Sequence, residues 1–254
     1  MSGEPQGLAI VQARASSSRL PRKVIKEMAG RPMLGLLLER LGQVIEAGDC
    51  CIRTVLATST DSSDDPVADF GDDVGFPVVR GPLEDVLGRF VTAIGSFEPD
   101  FVLRLTGDNP MVNGRAVETI AHQYLKELPQ DCVGVSNTLP EHRIAPYGFA
   151  LEAVEADALR KLSSRDLSLE DREHVTRGLI EEGKIAPTEL LGQLRQDGTG
   201  RENGEGGDIS GLRWTVDYPE DFQYMERLFE ALGVDTSVQS AIEWCLENPH
   251  PGAD

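Results

Sequence analysis

The sequence predicts an α/β protein whose mostly parallel central sheet is flanked by helices, and three observations carry that expectation. Strand-length apolar stretches alternate with amphipathic stretches of helix length through the first half of the chain. Polar turns separate them, and no internal repeat or composition break divides the run, so residues 1–254 are expected to form a single domain. With 254 residues and 40% hydrophobic content, the chain can bury a core and is not a mainly disordered one.

Residues 8–13 (LAIVQA) form the first expected strand, followed by a loop rich in Ser and Arg. The stretch 32–48 (PMLGLLLERLGQVIEAG) has helical periodicity, with Pro32 where a first turn tolerates it. A second strand is expected at 52–59, a short helix with capping acids at 64–75, and a third strand at 76–81. A helix at 83–97, a strand at 100–107 and a helix at 114–128 complete the alternation. This order implies a sheet covered on both faces, with ligands bound beyond the carboxyl ends of its strands. From about 131 the pattern loosens. CVGVSN (132–137) and YGFALEAV (147–154) look like strands outside it, and a helix covers 169–182. Residues 194–211 are polar and Gly-rich, and are expected to be a flexible loop, either plain surface or a lid. A strand then a helix over 212–233, with Pro219 at the helix start, and a helix over 237–249 end the chain.

Charge and cysteine usage exclude several function classes. With 43 Asp and Glu against 24 Lys and Arg, the net charge of −19 disfavours nucleic acid as a partner. No apolar run approaches the ~20 residues needed to span a bilayer, so no membrane role is expected. The first residues lack a basic stretch ahead of an apolar one, which points to a soluble cytoplasmic protein. Cys50, Cys51, Cys132 and Cys245 make no C-x-x-C pair and have no His at ligand spacing, so they read as ordinary thiols.

Four stretches can carry chemistry. The loop after the first strand gathers Arg14, Arg19, Arg22 and Lys23 among serines, a set of forks, a point charge and hydroxyls that suits a polyphosphate. The bland alternative is a solvated basic loop. Neither the Walker pattern nor a G-x-G-x-x-G fingerprint is present. Asp108 and Asp217 each follow an apolar strand and precede a proline by two residues; converging on one rim they suit Mg²⁺, and separately each can cap a helix. In SLEDREHVT, Arg172 and His174 share a helical turn, serving either surface polarity or an anionic acceptor. In RGPLEDVLGRF, Asp85 and Arg89 have the i,i+4 spacing of a helix pair, and Arg80 and Gly81 end a strand near the rim. His122 reads as structural, and His142 and His250 have no evident role.

The stretches VQARASSSRLPRKVIKEMAGRPML, VLATSTDSSDDPV, VVRGPLEDVLGRF, LRLTGDNPMV, DREHVT and LRWTVDYPEDF, in this order over residues 9 to about 222, resemble the cytidylyltransferases that activate acidic sugars. The similarity is greatest to the spore-coat polysaccharide branch, with acylneuraminate and 3-deoxy-manno-octulosonate cytidylyltransferases more distant. The resemblance implies a Rossmann-like nucleotidyltransferase (GT-A-like) fold, commonly dimeric, that moves CMP from CTP to an acidic sugar with Mg²⁺ as cofactor. It implies that Gln12, Ala13, Arg14, Ser17, Arg19 and Lys23 surround the triphosphate, and that Arg80, Arg104, Thr106 and Gly107 line the nucleotide. Asp108 and Asp217 would bind the metal, with Arg14, Lys23 and Asp108 central to catalysis. Glu152, Arg172 and His174 would face the acceptor. Two departures from the family pattern stand out. Ser16 and Arg22 occupy positions where glycine is usual, so Ser16 is expected either to adopt glycine's backbone geometry at a cost or to shift the phosphates. Ala150 stands where an acid is typical, although Gly148 and Glu152 are kept. That leaves room for a sugar phosphate or polyol phosphate acceptor, and the altered glycines for a non-catalytic nucleotide-binding regulator.

Overall fold

In the computed structural model, which describes residues 4–48, 50–139, 145–188, 190, 209 and 211–252, the first strand lies inside the sheet with a parallel neighbour on each side. β1 (Gln6–Gln12) sends Leu8 and Ile10 into one core and Ala9 and Val11 into the other. Burial on both faces is why it reads as an unbroken apolar run. The two-residue strands β2 (Glu27–Met28) and β3 (Arg31–Pro32) then pair as a hairpin that leads into helix α1 (Met33–Leu41).

The single helix expected over 32–48 does not form. Gly42 takes φ 75°, the left-handed region that ends helices, and the chain turns back. β4 (Val44–Ala47) pairs antiparallel with the first residues of β5 (Cys50–Ser59), with Ile45 and Ala47 inward and Val44 and Glu46 outward. This period-two alternation is too short to stand out from the helical pattern before it. α2 (Asp65–Asp73), β6 (Val78–Gly81), α3 (Val86–Phe97), β7 (Phe101–Thr106) and α4 (Gly114–Glu127) follow the expected order. β5 and β7 flank β1 in parallel, and β6 runs parallel to the last residues of β5. Gln12, Ser59, Gly81 and Thr106 therefore end their strands on one rim.

Beyond β7 the sheet continues with β9 (Glu152–Glu155), β8 (Gly134–Ser136) and β10 (Ile185–Pro187). β9 is antiparallel to both neighbours, and the parallel partner of β8, β10, is a strand the periodicity does not announce. The strand expected over 147–154 begins only at Glu152. Its first half instead docks on residues 212–215: Trp214 and Thr215 both donate to the Tyr147 carbonyl. Gly148 is required there, because φ is 93° and a Cβ would lie 2.1 Å from the Thr215 nitrogen. Helix α5 (Ala156–Ser163) joins α3 on one face of the sheet. The helix expected over 169–182 divides into α6 (Leu169–His174) and α7 (Arg177–Glu181) at Val175, a buried β-branched residue at φ 55°. α8 (Pro219–Leu232) and α9 (Val238–Glu247) pack with α1 and α4 on the other face. Apart from Ile209 and Gly211, the loop expected over 194–211 lies outside the described residues, as does His142.

Candidate active site

The cationic loop is clamped at its base before any of its charges is considered. Ala13 N–H donates to the Ala57 carbonyl of β5, and Arg22 N–H closes the loop on the Ala15 carbonyl at 2.9 Å. Asp64, fully buried, accepts from Ala15 N–H at 2.6 Å through one oxygen and from Ser59 through the other. One carboxylate thus ties the loop after β1 to the end of β5. The sequence offers Asp64 only as a helix cap; its position right after a strand end rich in hydroxyls is the signal that could have found it. Ser17 Oγ accepts from Leu20 N–H inside the loop. The backbone cost expected at Ser16 falls elsewhere: Arg22 has φ 59°, whereas Ser16 does not enter the positive-φ region. Of the two positions where glycine is usual, only Arg22 demands its geometry.

Lys23 is the centre of the site. Its side chain is buried, and Nζ donates to Asp108 Oδ2 at 3.0 Å, to the Val216 carbonyl at 2.6 Å and to Asp217 Oδ1 at 3.4 Å. Asp108, two residues after β7, and Asp217, 109 positions further on, therefore converge on a single cation. The strand expected ahead of Asp217 does not form: residues 212–217 are held as a non-strand segment, with an isolated bridge from Arg213 to Tyr147 and the Val216 N–H donating to the Asp108 carbonyl. Arg19 reaches the same acid, with Nη2 3.4 Å from Asp217 Oδ1 and Nη1 donating to the Tyr218 hydroxyl, its guanidinium over the Tyr218 ring. Arg14 points the other way and donates to Glu173 of α6 at 3.1 Å. Gln12, Ala13 and Gly107 form the floor. Gly107 N–H donates to the Gln12 carbonyl, and a Cβ at 107 would lie 2.9 Å from that of Ala13. Thr106 accepts from the Asn109 amide at 2.7 Å, which holds the turn carrying Asp108.

A second group of residues gathers beside this rim. Arg104, placed by the sequence with the nucleotide, spans Gln12 and Glu152 at 3.4 and 3.3 Å. Glu152 is buried and also accepts from Thr176 Oγ1 at 2.7 Å. Arg104, Glu152, Glu170, His174, Thr176 and Arg177 line a cavity of about 320 Å³. The turn at Val175, closed by Thr176 N–H on the His174 carbonyl, brings His174 and Thr176 into that wall. Thr176 closes the DREHVT stretch but was not singled out in it.

Two of the expected site residues are engaged elsewhere. Arg172 turns from the cavity to the start of α3, where it donates to Asp85 at 2.8 Å and to the Ser163 carbonyl. The Asp85–Arg89 pair does not form. Asp85 caps α3 through Gly88 N–H, and Arg89 is buried with its Nη1 on the Pro82 and Leu83 carbonyls. Burial pulls the Arg89 pKa down. Arg80 donates to the Ser59 and Asp61 carbonyls and to Asp65, so it braces the end of β5.

This arrangement, cations and two acids on the rim at the carboxyl ends of the parallel strands, accompanies a family match over most of the chain. Residues 8–201 match the family model described as Cytidylyltransferase. The chain belongs to the cytidylyltransferase family. Among curated proteins, this cytidylyltransferase is 30% identical to the spore coat polysaccharide biosynthesis protein SpsF of Bacillus subtilis, over 97% of this chain and 95% of that one. Among solved structures, a cytidylyltransferase from Leptospira borgpetersenii superposes with a TM-score of 0.79 at 24% identity, over 98% of this chain and 96% of that chain. The CMP:2-keto-3-deoxy-manno-octonic acid synthetase complexed with CTP superposes with a TM-score of 0.58 at 19% identity, covering 89% and 99%. Both share the nucleotidyltransferase fold, the mostly parallel sheet flanked by helices.

Asp108 and Asp217 suit a hard divalent cation. They offer carboxylate oxygens from two separate segments to one position, and Mg²⁺ typically takes one or two carboxylates and completes its shell with phosphates and water. Among the described residues no group of three or more His, Cys, Asp or Glu forms a closed metal cage.

Proposed function

We propose that this cytidylyltransferase moves CMP from CTP to a hydroxyl of an acidic sugar, with Mg²⁺, releasing pyrophosphate for surface glycan assembly. The observation that carries the reading is the convergence of Asp108 and Asp217 on Lys23, beside Arg14 and Arg19, on the rim of a cytidylyltransferase sheet. The acceptor oxygen attacks the α-phosphorus, and the bond from that phosphorus to the bridging oxygen of pyrophosphate breaks. Such a transfer needs positioning and charge neutralisation more than covalent help. Arg14, Arg19 and Lys23 hold the triphosphate and take up the charge that grows on the leaving pyrophosphate. Asp108 and Asp217 hold Mg²⁺, which when bound neutralises phosphate charge and makes the acceptor hydroxyl more acidic. Arg14, Arg19 and Lys23 each bond a carboxylate, so triphosphate binding is an exchange of anions: Arg14 leaves Glu173, and Arg19 and Lys23 loosen from the acids.

The acceptor fits the cavity beside β9. Glu152 and His174 read its hydroxyls, and Arg104 and Arg177 suit its carboxylate. The CMP:2-keto-3-deoxy-manno-octonic acid synthetase, named for a sugar acid, supports the same acceptor class. The reading makes the protein a cytoplasmic enzyme working as a homodimer, and light scattering of the purified chain checks the dimer. A pyrophosphate-release assay over the four nucleoside triphosphates and a panel of acceptors tests the rest. CTP with an acidic sugar is the expected pair. Turnover confined to sugar or polyol phosphates would move the assignment, and no turnover with any pair would sink it.

A further inference from the structure

The largest concentration of buried charge outside the residues used above lies around Asp221, in the first turn of α8. Its carboxylate is buried and accepts from Arg213 Nε at 2.8 Å, Arg213 Nη2 at 3.2 Å, and the backbone N–H groups of Asp217 and Tyr218 at 2.8 Å each. A fifth group comes from the end of the chain, where His250 Nε2 stands 3.1 Å from Oδ1. His250 Nδ1 accepts from Gly252 N–H, so the neutral ring carries its proton on Nε2, facing Asp221. The ring packs edge-on against Tyr224, whose hydroxyl donates to the Asn248 carbonyl and docks the tail. Burial alone would raise the Asp221 pKa, but the Arg213 and backbone donors hold it below the usual carboxylate range.

A helix cap needs one or two of these bonds; the others offset the desolvation of the buried carboxylate and at the same time fix a neighbour. That neighbour is Asp217. The Asp217 N–H is held directly by Asp221, and Arg213 Nη2 bridges to Asp217 Oδ2 at 3.0 Å. Asp217 Oδ1 is left to face Lys23 and Arg19. One oxygen of this acid is thus committed to the protein scaffold, and the other is aimed at the point shared with Asp108.

We propose that Asp221 and Arg213 are positioning residues that make Asp217 a one-oxygen metal ligand, with His250 from the chain end closing their cluster. The proposal rests on the reading of Asp108 and Asp217 as the metal pair. Neither residue touches substrate; both act through Asp217. Outer-sphere partners of this kind commonly change metal affinity about 10–100-fold when replaced.

The test uses the full chain. Mn²⁺ is titrated into the CTP complex and followed by electron paramagnetic resonance, and CTP affinity without divalent ions is measured by calorimetry. Asp221→Asn is expected to weaken Mn²⁺ binding about 10–100-fold while metal-free CTP affinity stays within about twofold. Because Asp221 is buried, its substitution can compromise folding, so Arg213→Lys is measured beside it. That side chain is a quarter exposed, and lysine keeps the charge while losing the fork that joins Asp217 to Asp221. Arg213→Lys should show the same selective loss of Mn²⁺ affinity, with an unchanged circular dichroism spectrum. A folded variant that binds Mn²⁺ as wild type does overturns the proposal, and so does one that loses metal-free CTP affinity by the same factor. A wild-type CTP complex that takes up no Mn²⁺ would instead bring down the metal pair itself.

Discussion

The nucleotide rim and the acceptor cavity lie side by side but are held together differently. At the rim, Lys23 is bound to partners 85 and 194 residues away, and Asp64 joins two strand ends through a fully buried carboxylate. At the cavity, Arg177 pairs with Glu170 and Glu181, neighbours in sequence whose side chains are more than half exposed. Exposed pairs contribute about 0–1 kcal/mol each, whereas breaking a buried pair leaves a charge that nothing compensates. The rim is therefore preformed and intolerant of change. The cavity wall can be altered cheaply, and acceptor preference is the property such changes would move. Glu152, through Thr176 and Arg104, gives the cavity a buried polar anchor comparable to the rim's.

Four substitutions break or sharpen this contrast. Asp108→Asn should cut turnover about 10²–10⁴-fold, the scale of losing the metal's charge stabilisation, with CTP binding largely retained. Pyrophosphate release and calorimetry measure the two halves of that expectation, and near-normal turnover would refute the role of Asp108. Lys23→Met removes the one cation that Asp108 and Asp217 share, leaving Asp217 with Arg19 and Arg213. It should lower stability by about 2–4 kcal/mol, less than for a fully buried pair because Asp108 is 29% exposed. Added Mg²⁺ should then raise the melting temperature of this variant more than that of wild type; equal shifts would mean that metal and ammonium do not share the acids. Arg22→Gly removes a left-handed arginine and should stabilise the fold by about 0.5–1 kcal/mol, read by denaturant unfolding. Glu173→Gln frees Arg14 from a pair whose side chains are 40% and 50% exposed, and should tighten metal-free CTP binding about two- to fivefold. Unchanged affinity there would mean that Arg14 does not exchange Glu173 for phosphate.

Legibility in the sequence followed the range of each interaction. β1, β5, β7 and the helices between them were readable because burial on one or two faces imposes a local period. Arg14 and Asp108 were readable because each follows the end of a parallel strand, where such a sheet presents ligands, and Lys23 and Asp217 because of their residue chemistry and motif context. β4 was not, since its four residues follow a helix with only Gly42 to mark the change. Nor was the break at Val175: a buried β-branched residue at positive φ is strained, and only packing around it sustains such a conformation. Arg172 and Arg89 were misplaced for a related reason. Helical spacing suggested Asp85 for Arg89, and the family resemblance suggested the acceptor for Arg172, but Arg172 bonds Asp85 and Arg89 bonds backbone carbonyls.

By itself, then, the sequence determined the alternation of β1, β5, β6 and β7 with the helices that follow them, the cationic loop and the candidate acids Asp108 and Asp217. Each of these depends on burial period or on residue chemistry within a few positions. Tertiary structure alone decided that Lys23 lies between the acids, that Asp64 anchors the loop, that Arg22 and not Ser16 carries the backbone cost, and that one oxygen of Asp217 is held by Arg213. The first two of these depend on contacts between segments 49 to 194 residues apart, and the last two on local geometry that the surrounding packing selects. Local propensity does not encode such pairings; they are settled when the two cores close on the sheet and each buried charge must find its partner.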